Sequence, residues 1–262
     1  MPEVKEYAPG MPTWAELATP DLAASTRFYR ALFGWSSYTV TVDTLGDYEM
    51  FTLDGPQGPQ VAGMQAMTDD ALPPSWTCFF RTAEAAGTAA AVRAGGGREL
   101  TGPVQVAQFG RMALFMDPEG ASFAVWEPYE HQGAEVAGEP STLCWVELAC
   151  RDIERARAFY GAVFGWRAVE REYYGPTYTT FTIDGRAAAG MVHMDEQWPS
   201  HVRPHWIPYF QVTDCDAATA LAADLGARVR VPPTDVPPGR FAVMTDPTGA
   251  RLGIITPARR NA

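Results

Sequence analysis

The chain has 262 residues, of which 47% are apolar, 19% charged and 12% aromatic, with 24 Gly and 22 Pro. This excludes disorder, collagen and coiled coil, and leaves one large globular domain or two of about 130 residues. Thirty-one acidic residues against 20 basic ones, 19 of them Arg and one Lys (Lys5), give a net charge of −11, which argues against a nucleic-acid-binding face. No apolar run reaches the ~18 residues of a membrane span, and residues 1–12 carry Glu3, Lys5 and Glu6 where a signal peptide needs a hydrophobic stretch. A cytoplasmic protein with no membrane partner is expected. Cys78, Cys144, Cys150 and Cys215 form no CxxC pair and are expected to be reduced and buried.

In chain order, residues 14–18 alternate as a strand. Asp21 or Thr19 then caps a helix whose Leu22, Phe28, Tyr29, Leu32 and Phe33 fall at helical spacing, and Gly34 closes it. Residues 48–53 and 61–67 read as strands. After Trp76 the order restarts, with a strand over 77–81, an Ala-rich helix over 83–94 ended by Gly95, and strands over 112–116 and 122–126. The whole pattern then recurs. Trp14, Glu16, Asp21, Phe28-Tyr29 and Phe33-Gly34-Trp35 return as Trp145, Glu147, Asp152, Phe159-Tyr160 and Phe164-Gly165-Trp166, each 131 positions later. Tyr48 matches Tyr178, Gly63-Met64 matches Gly190-Met191, Trp76 matches Trp206, Gly110-Arg111 matches Gly239-Arg240, and the D-P-x-G at Asp117 matches that at Asp246. Such self-similarity marks a duplication. Domains are expected over 1–128 and 141–262, joined by a polar, Gly- and Pro-punctuated linker over 129–140 that has no counterpart in the repeat.

Four βαβββ units in two tandem α+β domains, each with a first strand running into D-[LI]-x-x-[SA]-x-x-F-Y and a last strand introduced by D-P-x-G, resemble the vicinal oxygen chelate superfamily. Its members include glyoxalase I, extradiol dioxygenases and bleomycin-binding proteins. Among them the chain looks most like actinobacterial two-domain glyoxalase-like proteins often labelled hydroxylases, some of them in polyketide pathways. The resemblance implies that paired units curl into an open, partly closed barrel. It also implies metal-ligand positions, and here those positions hold Trp14 and Trp145, Thr77 and Ile207, and Ala124 and Gly253. These residues lack the donors a divalent ion needs, so no cofactor is expected, with a divalent metal on substitute ligands as the lesser alternative. Of the four His, residues 131, 193, 201 and 205, only His193 lies on an expected strand, where it could join Glu147 in such a site.

Strand alternation puts Glu16 on the face of Trp14 and Glu147 on the face of Trp145, so both carboxylates are expected to point into a cavity and to serve in acid–base chemistry. A structural pairing with Arg or backbone is the competing expectation. Trp14, Tyr48, Trp76 and Phe79, with Trp145, Tyr178, Trp206 and Tyr209, offer aromatic surface for a planar ligand, or else simply fill a barrel. Arg111 and Arg240 stand at strand starts and are expected either to anchor a ligand anion or to pair with the two Glu. The expected function is binding of a hydrophobic aromatic small molecule by a monomer or homodimer, with metal-independent tailoring of a polyketide-like compound. Sequestration of a drug without chemistry is the alternative, and a metal-dependent lyase or dioxygenase the third.

Overall fold

The computed structural model describes residues 4–42, 46–69, 71–171 and 178–258. The first domain runs β1 (Pro12–Thr19), α1 (Leu22–Phe33), β2 (Ser36–Val42), β3 (Gly46–Thr52), β4 (Gln60–Ala66), then β5 (Ser75–Arg81), α2 (Ala85–Ala94), β6 (Arg98–Val106), β7 (Gly110–Met116) and β8 (Ser122–Pro128). The second repeats it as β9 (Leu143–Cys150), α3 (Ile153–Phe164), β10 (Arg167–Arg171), β11 (Tyr178–Ile183), β12 (Arg186–His193), β13 (His205–Gln211), α4 (Cys215–Asp224), β14 (Arg228–Val236), β15 (Gly239–Thr245) and β16 (Arg251–Pro257). Each domain is one eight-stranded sheet. The order β2-β3-β4-β1-β5-β8-β7-β6 is matched by β10-β11-β12-β9-β13-β16-β15-β14. Within it, β1 runs parallel to β4 and β5 parallel to β8, while β1 and β5 meet antiparallel, so two βαβββ units join along their first strands.

The helix ends follow from the repeated motif. Asp21 accepts the Ala24 N–H at 2.9 Å and Asp152 that of Arg155 at 2.9 Å, while Gly34 and Gly165 close their helices with φ near +74° and +72°. In α2 the left-handed residue is Gly96 rather than Gly95, and Glu84 is the cap.

Alternation along β1 and β5 separates two chemistries. Ala15, Leu17, Trp76, Cys78 and Phe80 face the helices and the other domain, whereas Trp14, Glu16 and Phe79 face the concave side. The convex faces meet back to back. Phe80 sits with its ring centroid 5.1–5.3 Å from those of Phe164, Trp166 and Trp206, and Phe210 makes the mirror set with Phe33, Trp35 and Trp76 at 5.2–5.4 Å. Around this aromatic core run matched polar bonds. Tyr29 Oη donates to Asp246 Oδ2 at 2.8 Å and Tyr160 Oη to Asp117 Oδ2 at 3.0 Å, each Tyr also accepting from a buried Trp, Trp76 or Trp206, at 2.9 Å. The D-P-x-G aspartates therefore do more than form hairpins. One carboxylate oxygen of Asp246 takes the N–H groups of Thr248, Gly249 and Ala250 in its own turn, and the other fastens the opposite domain.

Because the halves share one core, urea unfolding should be a single transition by Trp fluorescence and by circular dichroism. Phe80→Ala is expected to cost about 3–5 kcal/mol, and Tyr160→Phe, which strands Asp117 and Trp206, about 1–3 kcal/mol. Two separated wild-type transitions would contradict the shared core.

Candidate functional site

The concave face of the first sheet encloses a cavity of about 880 Å³. Its floor is Trp14 and Glu16 from β1, Phe79 from β5 and Gln65 from β4. Its sides are Tyr38, Tyr48, Met50, Phe109, Met112 and Trp126. Residues 130–133, 135 and 136 and the N-terminal Val4 and Lys5 complete the wall. The linker is thus not a loose tether. Ala134 N bonds Thr13 O at 2.8 Å, Thr13 Oγ1 donates to Gln132 O at 2.8 Å, Glu135 N bonds Gln60 O at 2.8 Å, and Val4 N bonds Glu135 O at 2.8 Å. Ala134 and Val136 are buried. Gly133, at φ +117°, passes so close to Thr13 that an added Cβ would lie 1.9 Å from its hydroxyl oxygen.

Glu16 is 9% exposed and is held by a chain of donors. Trp14 Nε1 donates to Tyr48 Oη at 3.0 Å, Tyr48 donates to the carboxylate, and Gln65 Nε2 donates to Oε1 at 2.8 Å. Gly63 makes this possible, since a Cβ there would fall 1.8 Å from Tyr48 Oη. Burial raises the Glu16 pKa from its ordinary 4.5 to about 7, the Tyr48 and Gln65 bonds resisting only in part. On the other side of Trp14, the His131 ring meets it edge-on at 4.9 Å, and the His131 carbonyl accepts from Trp126 Nε1 at 2.7 Å. Burial lowers the His131 pKa to about 4, so the ring is neutral at pH 7.

The second domain repeats the frame with one hydroxyl added. Trp145 Nε1 donates to Tyr178 Oη at 3.0 Å and Tyr178 to Glu147. Tyr209, which occupies the register position of Phe79, donates to Glu147 Oε1 at 2.9 Å. Val192 stands where the first domain has Gln65. Burial raises the Glu147 pKa, with Tyr178 and Tyr209 opposing it. Ile207, Tyr209 and Val243 pack with Trp145 and Phe241 in a cluster of their own, and Glu147 is half-buried.

Several expected residues stand elsewhere. Trp76 and Trp206 are in the interdomain core, since each lies three residues from Phe79 or Tyr209 and a strand turns over every residue. Arg111 lies 4.0 Å from Glu127, and Arg240 binds Asp216 at 2.6 and 2.9 Å and Asp235 at 3.0 Å, so neither meets Glu16 or Glu147. His193 pairs in register with Cys150, three residues beyond Glu147, which puts it on the opposite face, exposed. Gln65 and His131 escaped the sequence reading. Gln65 is visible in retrospect two residues past Gly63 on the same face of β4; His131 left no signal, because the linker has no repeat partner.

The donor set does not fit the family's divalent ion. Trp14 is committed to Tyr48, Ala124 offers no donor, and the Tyr209 ring occupies the space over Gly253, 2.3 Å from where a Cβ would stand. Among the described residues no group of three His, Cys, Asp or Glu converges.

The raised Glu16 pKa has a stability sign. The neutral carboxyl is favoured by the fold, so its contribution is complete below about pH 4.5 and is lost as pH rises through about 7. The difference is about 3 kcal/mol. Urea midpoints of wild type and Glu16→Gln measured at pH 4.5 and 8 should diverge, the variant losing less stability. Parallel profiles would show that Glu16 ionises normally.

The model of the Glyoxalase/Bleomycin resistance protein/Dioxygenase superfamily matches residues 12–125 and again 142–254. The chain is 38% identical over 260 residues to the anthracycline biosynthesis protein DauV of Streptomyces sp. (strain C5), covering 95% of this chain and 94% of that one. It is likewise 38% identical over 260 residues to DnrV of Streptomyces peucetius, another anthracycline biosynthesis protein, with the same coverage. The fold is similar to the crystal structure of the 2,3-dioxygenase LapB from Pseudomonas sp. KL28, at TM-score 0.64 and 15% identity over 97% of this chain and 94% of that one. With both halves matched and the strand order repeated, the chain belongs to the glyoxalase/bleomycin resistance/dioxygenase superfamily as a tandem two-domain member.

Proposed function

We propose that the first domain binds a planar, largely apolar aromatic small molecule in its cavity, and that the second domain is a scaffold. The carrying observation is the cavity itself. About 880 Å³ walled by Trp14, Phe79, Phe109, Trp126 and two Met, with one buried carboxyl at the floor, suits a ligand of three or four fused rings. Similarity to two anthracycline biosynthesis proteins supports a role in tailoring a secondary metabolite. Glu16 is the residue for proton exchange with the ligand. A carboxyl poised near pH 7 can give or take a proton at little cost, and Tyr48 and Gln65 fix its orientation. Glu147, half-buried and accepting from Tyr178 and Tyr209, is assigned a structural role. The family's chelating positions, Trp14, Thr77 and Ala124 in this domain, do not furnish the set of donors a divalent ion needs.

Two measurements test this. Quinones of fused-ring size should quench Trp fluorescence and raise the melting temperature of wild type. Met112→Trp, which fills the wall, should weaken binding at least tenfold, while Phe241→Trp at the matching place in the second domain leaves it unchanged. If both variants bind alike, the ligand is not in the first domain. For a ligand whose carbonyl accepts from neutral Glu16, affinity should fall several-fold as pH rises through about 7, and Glu16→Gln, which keeps a donor at every pH, should flatten that profile. A wild-type profile already flat from pH 5 to 8 would remove Glu16 from ligand contact.

A further inference from the structure

The charges around the cavity are one-sided. Glu16 lies at its floor, and Glu130 and Glu135, both exposed, stand in the linker wall; Lys5 is the single cation among the lining residues. Among the described residues no Arg lines it, in a chain with 19. The two Arg that sequence position offered as anion anchors are held by Glu127, Asp216 and Asp235. His131 adds no positive charge, being neutral at pH 7. Trp14, Trp126 and Tyr38 are among the lining residues, and aromatic rings of this kind attract a cation within about 6 Å of the ring centre. An anionic group entering here would lose hydration and meet Glu16, Glu130 and Glu135, with Lys5 as the one lining group of opposite charge.

We infer that the first-domain cavity selects planar aromatic ligands carrying a positive charge, such as an alkylammonium substituent, over anionic ones, with Glu130 and Glu135 of the linker supplying the discrimination at the mouth. This names the ligand class for the site proposed above and rests on that reading. Because the two carboxylates are solvent-exposed, the preference is moderate and sensitive to salt.

The test uses one ring system with three substituents: aminomethyl, hydroxymethyl and sulfonate derivatives of anthraquinone, titrated against Trp fluorescence at pH 7. In low salt the aminomethyl compound should bind about tenfold tighter than the sulfonate, with the hydroxymethyl compound between them, and the ratio should shrink to about twofold in half-molar salt. The Glu130→Gln/Glu135→Gln double variant, in which the amide at position 135 keeps an acceptor for the Gln60 N–H, should show the smaller ratio even in low salt, with a melting temperature that shows it folded. Equal affinities, a tighter sulfonate, or an undiminished ratio in the double variant overturn the charge selection and leave the aromatic cavity standing. Failure of all three compounds to bind, in wild type and Met112→Trp alike, overturns both readings.

Discussion

The structure depends on the back-to-back packing of its two curled sheets. A single eight-stranded sheet of this order has two faces to satisfy, and the helices cover only part of the convex one. Phe80 of the first domain and Phe210 of the second fill the remainder by inserting among the other domain's Phe and Trp rings. Once the convex faces are joined, the concave faces are free to be shaped for something other than stability. The crossed Tyr–Asp bonds then set the register of the union, because a buried phenol or carboxylate left without its partner is costly in a dry core.

That division lets the two copies diverge without threatening the fold. Phe79 and Tyr209 occupy the same register position, yet the added hydroxyl of Tyr209 goes straight to Glu147. In the first domain the ring has no such hydroxyl, and Gln65, from a different strand, orients the carboxylate from the side instead. One oxygen atom and one strand position thus separate a carboxylate held by Tyr48 and Gln65 from one held by two tyrosines.

Much of this was legible in the sequence because it repeats. The helix caps, the duplicated βαβββ order and the cavity-facing direction of Trp14 and Glu16 all follow from spacing that a strand or helix must obey. Trp76 and Trp206 resemble Phe79 and Tyr209 in type, but their odd separation from those residues puts them on the other face of the strand, in the interdomain core. Arg111 and Arg240 stand at strand starts as their spacing implies, but their partners come from neighbouring strands and a helix, which no spacing rule reveals. The role of the linker was invisible for a different reason. Its contacts with Thr13, Gln60 and Val4 reach 75 to 131 residues back along the chain, and a polar segment without a repeat partner carries no pattern that distinguishes a wall from a tether.

The linker wall also distinguishes this chain from its own halves. Residues 130–136 belong to neither repeat, and they exist in this place only because one domain must be connected to the next. Two unfused copies of the first half, even if they joined through the same aromatic faces, would lack the wall that residues 130–136 give this cavity. Covalent fusion here contributes more than proximity: the seam between the copies has become part of the container.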